Sequence, residues 1–130
     1  MSAPSPEQIR ATVGAYVAAY KANDRDALLA CFAPTAEWTD PVGTPTHHGH
    51  DGVGAFWDTA HSMADSIELR PIHVHVCGTE AALVMEIHTV VGGAGMVIDA
   101  VDVFSFDGDG RIVTGKAYWE LEKARPASAS

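Results

Sequence analysis

The sequence predicts an α+β domain in which three helices precede an antiparallel meander. Three observations carry this. Apolar residues recur at helical spacing up to about residue 63 and alternate with a period of two from Ser66 onward. Strong turn signals, Gly92-Gly93-Ala94-Gly95 and Asp107-Gly108-Asp109-Gly110, divide the second half. Hydrophobic residues make up 47% of 130 positions and charged residues only 19%, against a usual charged share of ~25%. That is more apolar matter than a core of this size needs, and it points to an apolar cavity, a buried subunit interface, or both.

The elements follow in order. Ser5-Pro6-Glu7-Gln8 forms a capping box with proline at the first helical position. Ile9, Val13, Tyr16, Val17 and Tyr20 then mark one buried face. Asp24 caps a second, short helix carrying Ala27, Leu28, Ala30, Cys31 and Phe32, which Pro34 ends because proline lacks the backbone donor. Ala36 to Asp40 is a short strand stopped by Pro41 and Gly43. Asp51 caps a third helix reaching about Met63, with Val53, Phe56, Trp57 and Ala60 inward. In the next strand Ile72, Val74 and Val76 face inward, alternating with His73, His75 and Cys77. Ala81–Val91, Met96–Phe106 and Arg111–Leu121 complete the meander. Three helices over one face of a strongly bent sheet leave a pocket between them. Residues 1–123 form one domain, and residues 124–130 are expected to be a disordered tail.

Composition also excludes. Eight basic against 17 acidic residues give a net charge of −9, and the basic residues are scattered. Neither nucleic acid nor an anionic membrane surface is an expected partner. Met1 to Pro6 lacks the pattern of a signal peptide, and no stretch nears the ~18 apolar residues of a membrane span. The expectation is a cytoplasmic protein. Cys31 and Cys77 stand outside any CxxC pattern and read as small buried apolar residues. His73 and His75, with His88 on the next strand, have zinc-like spacing; the apolar alternation turns them outward, so no metal is expected. No glycine-rich phosphate loop opens a helix.

Two carboxylates stand out. Asp40, in Trp38-Thr39-Asp40-Pro41-Val42-Gly43, is either a turn residue capping backbone donors or a general base at the mouth of a pocket. Asp102 shares a strand face with Ala100, Phe104 and Phe106. A carboxylate there is costly unless it is paired or protonated. With eight basic residues in the chain, pairing is difficult, and the alternative is a neutral acid able to donate a hydrogen bond. Tyr16, on the apolar face of the first helix, is either a core residue or a phenol facing that pocket.

The segments Ala15-Tyr16 to Asn23-Asp24, Trp38 to Gly43, and His48-Gly49 to Ala55-Phe56 resemble the bacterial ketosteroid isomerase family, of the NTF2-like (SnoaL-like) superfamily. So do Val101 to Asp107, Gly110-Arg111-Ile112 and Ala117-Tyr118-Trp119. The resemblance spans about Glu7 to Trp119. It implies a cone of three helices against a curved antiparallel sheet enclosing a deep apolar pocket, and a homodimer. It implies steroid Δ5-isomerase activity without a cofactor, on a steroid or similar apolar molecule. Asp40 would be the base, with Tyr16 and Asp102 as the oxyanion hole. Pattern and resemblance together put Val17, Tyr20, Phe56, Trp57, Val84, Phe104 and Trp119 in the pocket wall; Trp119 reads equally as core. Some relatives carry tyrosines at the positions of Phe32 and Trp57, so hydroxyl support for Tyr16 is missing there. Two other classes stay open. One is an NTF2-like epoxide hydrolase or polyketide cyclase; the hydrolases use an Asp–Arg–Asp set, and Arg70 is the one basic residue between Arg25 and Arg111. The other is a non-catalytic module that binds an apolar ligand.

Overall fold

A computed structural model describes residues 3–127. Helix α1 (Pro6–Ala22) starts on the expected capping box, with Ser5 Oγ accepting from the Gln8 N–H and the Gln8 side chain accepting from the Ser5 N–H. Asp24 caps α2 (Arg25–Ala30) through the Ala27 N–H. The chain then enters strand β1 (Phe32–Thr39) at once. Pro34 therefore lies within a strand and does not end the helix; α2 stops at Ala30 because the next residues pair with the sheet. A two-residue strand β2 (His47–His48) leads into α3 (Gly49–Met63). His48, not Asp51, occupies the N-cap position, and Asp51 sits in the first turn, where a negative charge favours the helix dipole.

The meander comprises β3 (Ser66–Cys77), β4 (Glu80–Val91), β5 (Ala94–Phe106) and β6 (Ile112–Tyr118). Sheet order is β2-β1-β6-β5-β4-β3, antiparallel except for the β1–β6 pair, which is parallel. Gly92 and Gly93 make the two-residue turn between Val91 and Ala94 with φ of 56° and 82°. A type I′ hairpin needs positive φ at both positions, which glycine adopts without strain.

Further expectations change in the meander and after it. The β3 register shifts between Pro71 and His73, so Ile72 is the extra residue of a bulge and is 53% exposed. Proline cannot donate to the ladder, and a bulge removes that demand. Cys77 is exposed; Cys31 is buried as expected. The last strand ends at Tyr118, and a 3-10 turn (Leu121–Lys123) carries the chain to β7 (Arg125–Pro126). β7 pairs with Met96 and Val97 of β5, and Arg125 binds Asp99 and Glu86, so Arg125–Ala127 belong to the sheet and not to a disordered tail. Residues 128–130 of that expected tail, and Met1 and Ser2 of the N-terminal stretch, lie outside the described residues. No helix among the described residues is long and apolar enough to cross a membrane.

The helices pack on the inner sheet face. Ile9, Val13, Tyr16, Leu28, Phe32, Trp38, Val53, Phe104 and Ile112 are each at most 2% exposed. Trp38 stacks on Phe104 at 11° between ring planes, a contact that only a glycine at position 115 permits. A Cβ at Gly115 would overlap the six-membered ring of Trp38 and touch Phe104. Overpacking of this kind costs about 1–3 kcal/mol. Gly115→Ala is therefore expected to lower the urea unfolding midpoint by that equivalent; an unchanged midpoint would show that Trp38 is free to move.

Candidate active site

The inner face of β5 carries Ala100, Asp102, Phe104 and Phe106, all buried, as the alternation required. Asp102 is 1% exposed and lies opposite Leu83 on β4 and Ala117 on β6. Tyr16, from the inward face of α1, donates its hydroxyl to Asp102 Oδ2 at 2.9 Å. Asp102 Oδ1 has no hydrogen-bond partner among the described residues. Tyr16 is itself held by edge contacts to Tyr20, Phe32, Trp38 and Phe104.

Asp40 arrives from the far side of the sheet. Because β1 and β6 run parallel, with Thr39 opposite Lys116, the residues that follow them leave at the same end. Trp119 accordingly donates its indole N–H to Asp40 Oδ1 at 2.6 Å. Val42 N–H, bonded to Ala117 O, fixes the loop after Asp40 against β6.

The three groups share one cavity offering about 200 Å³ to the centre of a water molecule. Its wall is otherwise largely aliphatic and aromatic, including Phe56, Met63, Leu69, Met85, Ile87 and Ile98. Burial in such surroundings disfavours a carboxylate's charged form. It pushes Asp40 up to about 6, with the Trp119 N–H acting in the opposite direction. Asp102 lies well above the usual carboxylate range, first through burial and then through the Asp40 charge, against the lowering effect of the Tyr16 hydroxyl bond. Burial also raises the Tyr16 phenol, and neighbouring Asp102 raises it further. Burial thus opposes ionisation of all three groups.

Of the expected wall residues, Tyr20, Phe56 and Trp119 line this cavity. Val17, Trp57 and Phe104 do not. Val17 is a partly buried residue packed on the core. Trp57 stacks on Tyr20 and His61 behind the cavity, and Phe104 lies beneath Tyr16. Val84 is on the opposite face of the sheet, beside Ile72 and Tyr118. The reason is parity: Ala81, Leu83 and Met85 are the buried set of β4, and Ile87 and Thr89 continue their face. Met85, Ile87 and Thr89 of β4 are wall residues that were missed, as were Met63, Leu69 and Ile98. Alternation marks the β4 set, because Glu86 and His88 fall on the other face with Val84.

Arg70 is exposed and bonds to Glu68, away from the cavity. His73 and His75 are exposed, and His88 bonds to Glu86. Among the described residues no three His, Cys, Asp or Glu side chains are grouped to hold a metal.

A helix-backed curved sheet around an apolar cavity with buried acids defines a class, and the chain belongs to the SnoaL-like domain family, whose model matches residues 13–115. Within that class it is 30% identical over 112 residues to a steroid Delta-isomerase of Nocardioides simplex, covering 86% of this chain and 89% of the relative. Its fold matches the epoxide hydrolase/cyclase-like enzyme SalBIII of pyran ring formation in polyether salinomycin, with a TM-score of 0.85 and 20% identity over 93% of this chain and 97% of that one. It also matches an NTF2-like protein of unknown function from Burkholderia pseudomallei, with a TM-score of 0.82 and 25% identity over 95% of both chains.

Proposed function

We propose that the protein is a steroid Δ5-isomerase that moves a C5–C6 double bond into conjugation with a 3-ketone. The observation that carries this is the pairing, in one apolar cavity, of Asp40 with a buried Asp102 whose Oδ1 has no hydrogen-bond partner among the described residues. The ketone oxygen binds at Asp102 and Tyr16. Asp40 removes a proton from the carbon between ketone and alkene, and the electron pair of that C–H bond moves through the π system onto oxygen. The resulting dienolate accepts hydrogen bonds from Asp102 and from Tyr16, whose single O–H turns from Asp102 Oδ2 to the ligand oxygen. Asp40 then returns the proton two carbons along, on the same face, leaving the conjugated ketone. Proton inventory and electron count both balance, and no cofactor enters. A base of pKa near 6 is ionised at neutral pH yet basic enough to take the proton.

A single carboxylate in two roles needs freedom to swing between carbons. The Trp119 N–H binds one oxygen of Asp40 and leaves the other for the proton. An epoxide-hydrolase reading needs an arginine between the two acids, and no arginine or lysine lines this cavity among the described residues.

As further parts of this proposal, the enzyme works in the cytoplasm as a homodimer joined through the outer sheet face. That face carries Ile72, Val84, Val101 and Tyr118, the first and last about half exposed.

The test is direct. Purified protein mixed with a 3-keto-Δ5-steroid is expected to produce conjugated-enone absorbance well above the buffer rate. No rise over buffer, with steroid binding intact, would leave a ligand-binding module and overturn the isomerase reading.

A further inference from the structure

The cavity has a direction. Asp102 lies opposite Leu83, whereas Thr89, at the other end of the wall, lies opposite Ile67 of β3. On the helix side the path is short, with ring centroids 5.4 Å apart from Tyr16 to Tyr20 and 5.9 Å from Tyr20 to His61. The helices run the same way: Tyr16 gives way to Tyr20 along α1, and Phe56 to Met63 along α3. At this remote end a second groove adjoins the cavity, sharing Tyr20, Ala64 and Ile67 as common wall.

This groove differs from the cavity in chemistry. It is lined by Lys21, Asn23, His61, Asp65, Ser66 and Glu68 besides the shared residues. Its two acids already have partners, Asp65 accepting from the Gly93 N–H and Glu68 bonding to Arg70. Lys21 has no carboxylate within 4.0 Å among the described residues. His61 Nδ1 bonds to the Trp57 carbonyl at 2.9 Å. A carbonyl only accepts, so Nδ1 carries the proton and Nε2 of the neutral ring is an acceptor. Stacking on Trp57, 3.9 Å between centroids, fixes the ring plane. The groove is therefore lined by His61, whose Nε2 is left as an acceptor, and by Lys21, a donor with no carboxylate within 4.0 Å among the described residues.

One neutral group satisfies both at once, a hydroxyl. We propose that this groove binds a hydroxyl substituent on the ligand, at the end of the ring system remote from the ketone, with the hydroxyl donating to His61 and accepting from Lys21. The ligand's buried end rests on the isomerase reading; the groove's preference does not. A carboxylate in the same place would meet Asp65 and Glu68 in a chain of net charge −9 and could not donate to His61.

The experiment uses three 3-keto-Δ5-steroids that differ only at that remote position: hydroxyl, ketone or hydrogen. Their kcat/KM values, and the Kd values of the three conjugated products by tryptophan fluorescence, are measured in parallel. Hydroxyl should exceed ketone, and ketone exceed hydrogen, by about fivefold per hydrogen bond. His61→Phe keeps a ring in the stack and removes Nε2, so it should erase the hydroxyl-over-ketone preference. Lys21→Met, at an exposed position that folding does not need, should shrink the ketone-over-hydrogen preference. Equal values for all three steroids, or preferences that survive both substitutions, would overturn the proposal. Ordered product binding with no enone formation from any steroid would keep the groove and overturn the isomerase reading alone.

Discussion

Asp40→Asn should abolish most of the activity while making the protein more stable. An amide cannot take the proton, and loss of a positioned base costs roughly 10²–10⁴ in rate. The stability effect has a definite sign. The folded-state pKa of Asp40 is raised to about 6, above an unfolded value of ~3.9. Below the unfolded value both states hold the proton and the side chain costs nothing electrostatically. As pH rises through the interval the unfolded chain releases its proton first, and stability falls until the folded carboxyl ionises as well. Above pH 6 the cost is constant, about 3 kcal/mol at ~1.4 kcal/mol per unit. Asparagine has no charge to bury and can still accept from Trp119. Asp40→Asn is thus expected to be more stable than the parent by up to about 3 kcal/mol at pH 8 and equal to it at pH 3.5, as measured by urea unfolding at the two values. The parent's kcat/KM should climb with pH to a plateau, with a midpoint near 6. A stability gain independent of pH would show that Asp40 is not buried as a charge, and activity retained in the asparagine variant would remove it from the role of base.

Asp102→Ala should cost about 10²–10³ in kcat, the usual loss for one donor to a developing oxyanion. Asp102→Asn keeps an N–H at nearly the same place and should fall far less. A purely structural role would not separate the two in this way, because both lose the carboxylic acid. Tyr16→Phe should also lower kcat, but the Tyr16→Phe/Asp102→Ala double variant should lose less than the product of the single losses. The two side chains share a 2.9 Å bond, and groups in direct contact do not act independently. Steady-state kinetics on the four proteins, with thermal unfolding to confirm that each is folded, decides this. Equal rates for Asp102→Ala and Asp102→Asn would take the oxyanion role away from Asp102.

The aromatic surroundings of Tyr16 shape this second experiment. Phe32 is an edge neighbour of the phenol and supplies no hydroxyl, and Trp57 packs against Tyr20. The Tyr16 hydroxyl is hydrogen-bonded to Asp102, and the Tyr20 hydroxyl is the one phenol beside it.

Much of this was legible in the residues themselves. Ser5-Pro6-Glu7-Gln8 specified a helix start through local hydrogen bonds, and Gly92-Gly93 specified a hairpin through its allowed φ. The face of Asp102 followed from period two, because its flanking residues on β5 are large and apolar on that side. Where a signal was not local, reading along the chain misled. Pro34 looked like a helix stop, yet Cys31 O accepting from Ile112 N–H, 81 positions away, ties that segment to β6. Val84 looked like a cavity residue because it is apolar, yet it shares a strand face with Glu86 and His88, and the cavity takes Met85 and Ile87 from the other face.

The sequence by itself determined the starts of α1 and α2 through their caps, the turns, and a carboxylic acid forced onto an apolar strand face. These follow from interactions within a few residues or from strict alternation. Only the tertiary structure decided that Asp40 meets Trp119, that Asp102 meets Tyr16, and that a groove with an unpaired lysine opens at the far end of the cavity. Those pairings join residues 79 and 86 positions apart, and they depend on the parallel register of β1 with β6 and on the packing of α1 across the sheet. The raised carboxyl pKa values have the same origin, since desolvation is a property of the closed cavity and exists only once the chain surrounds it.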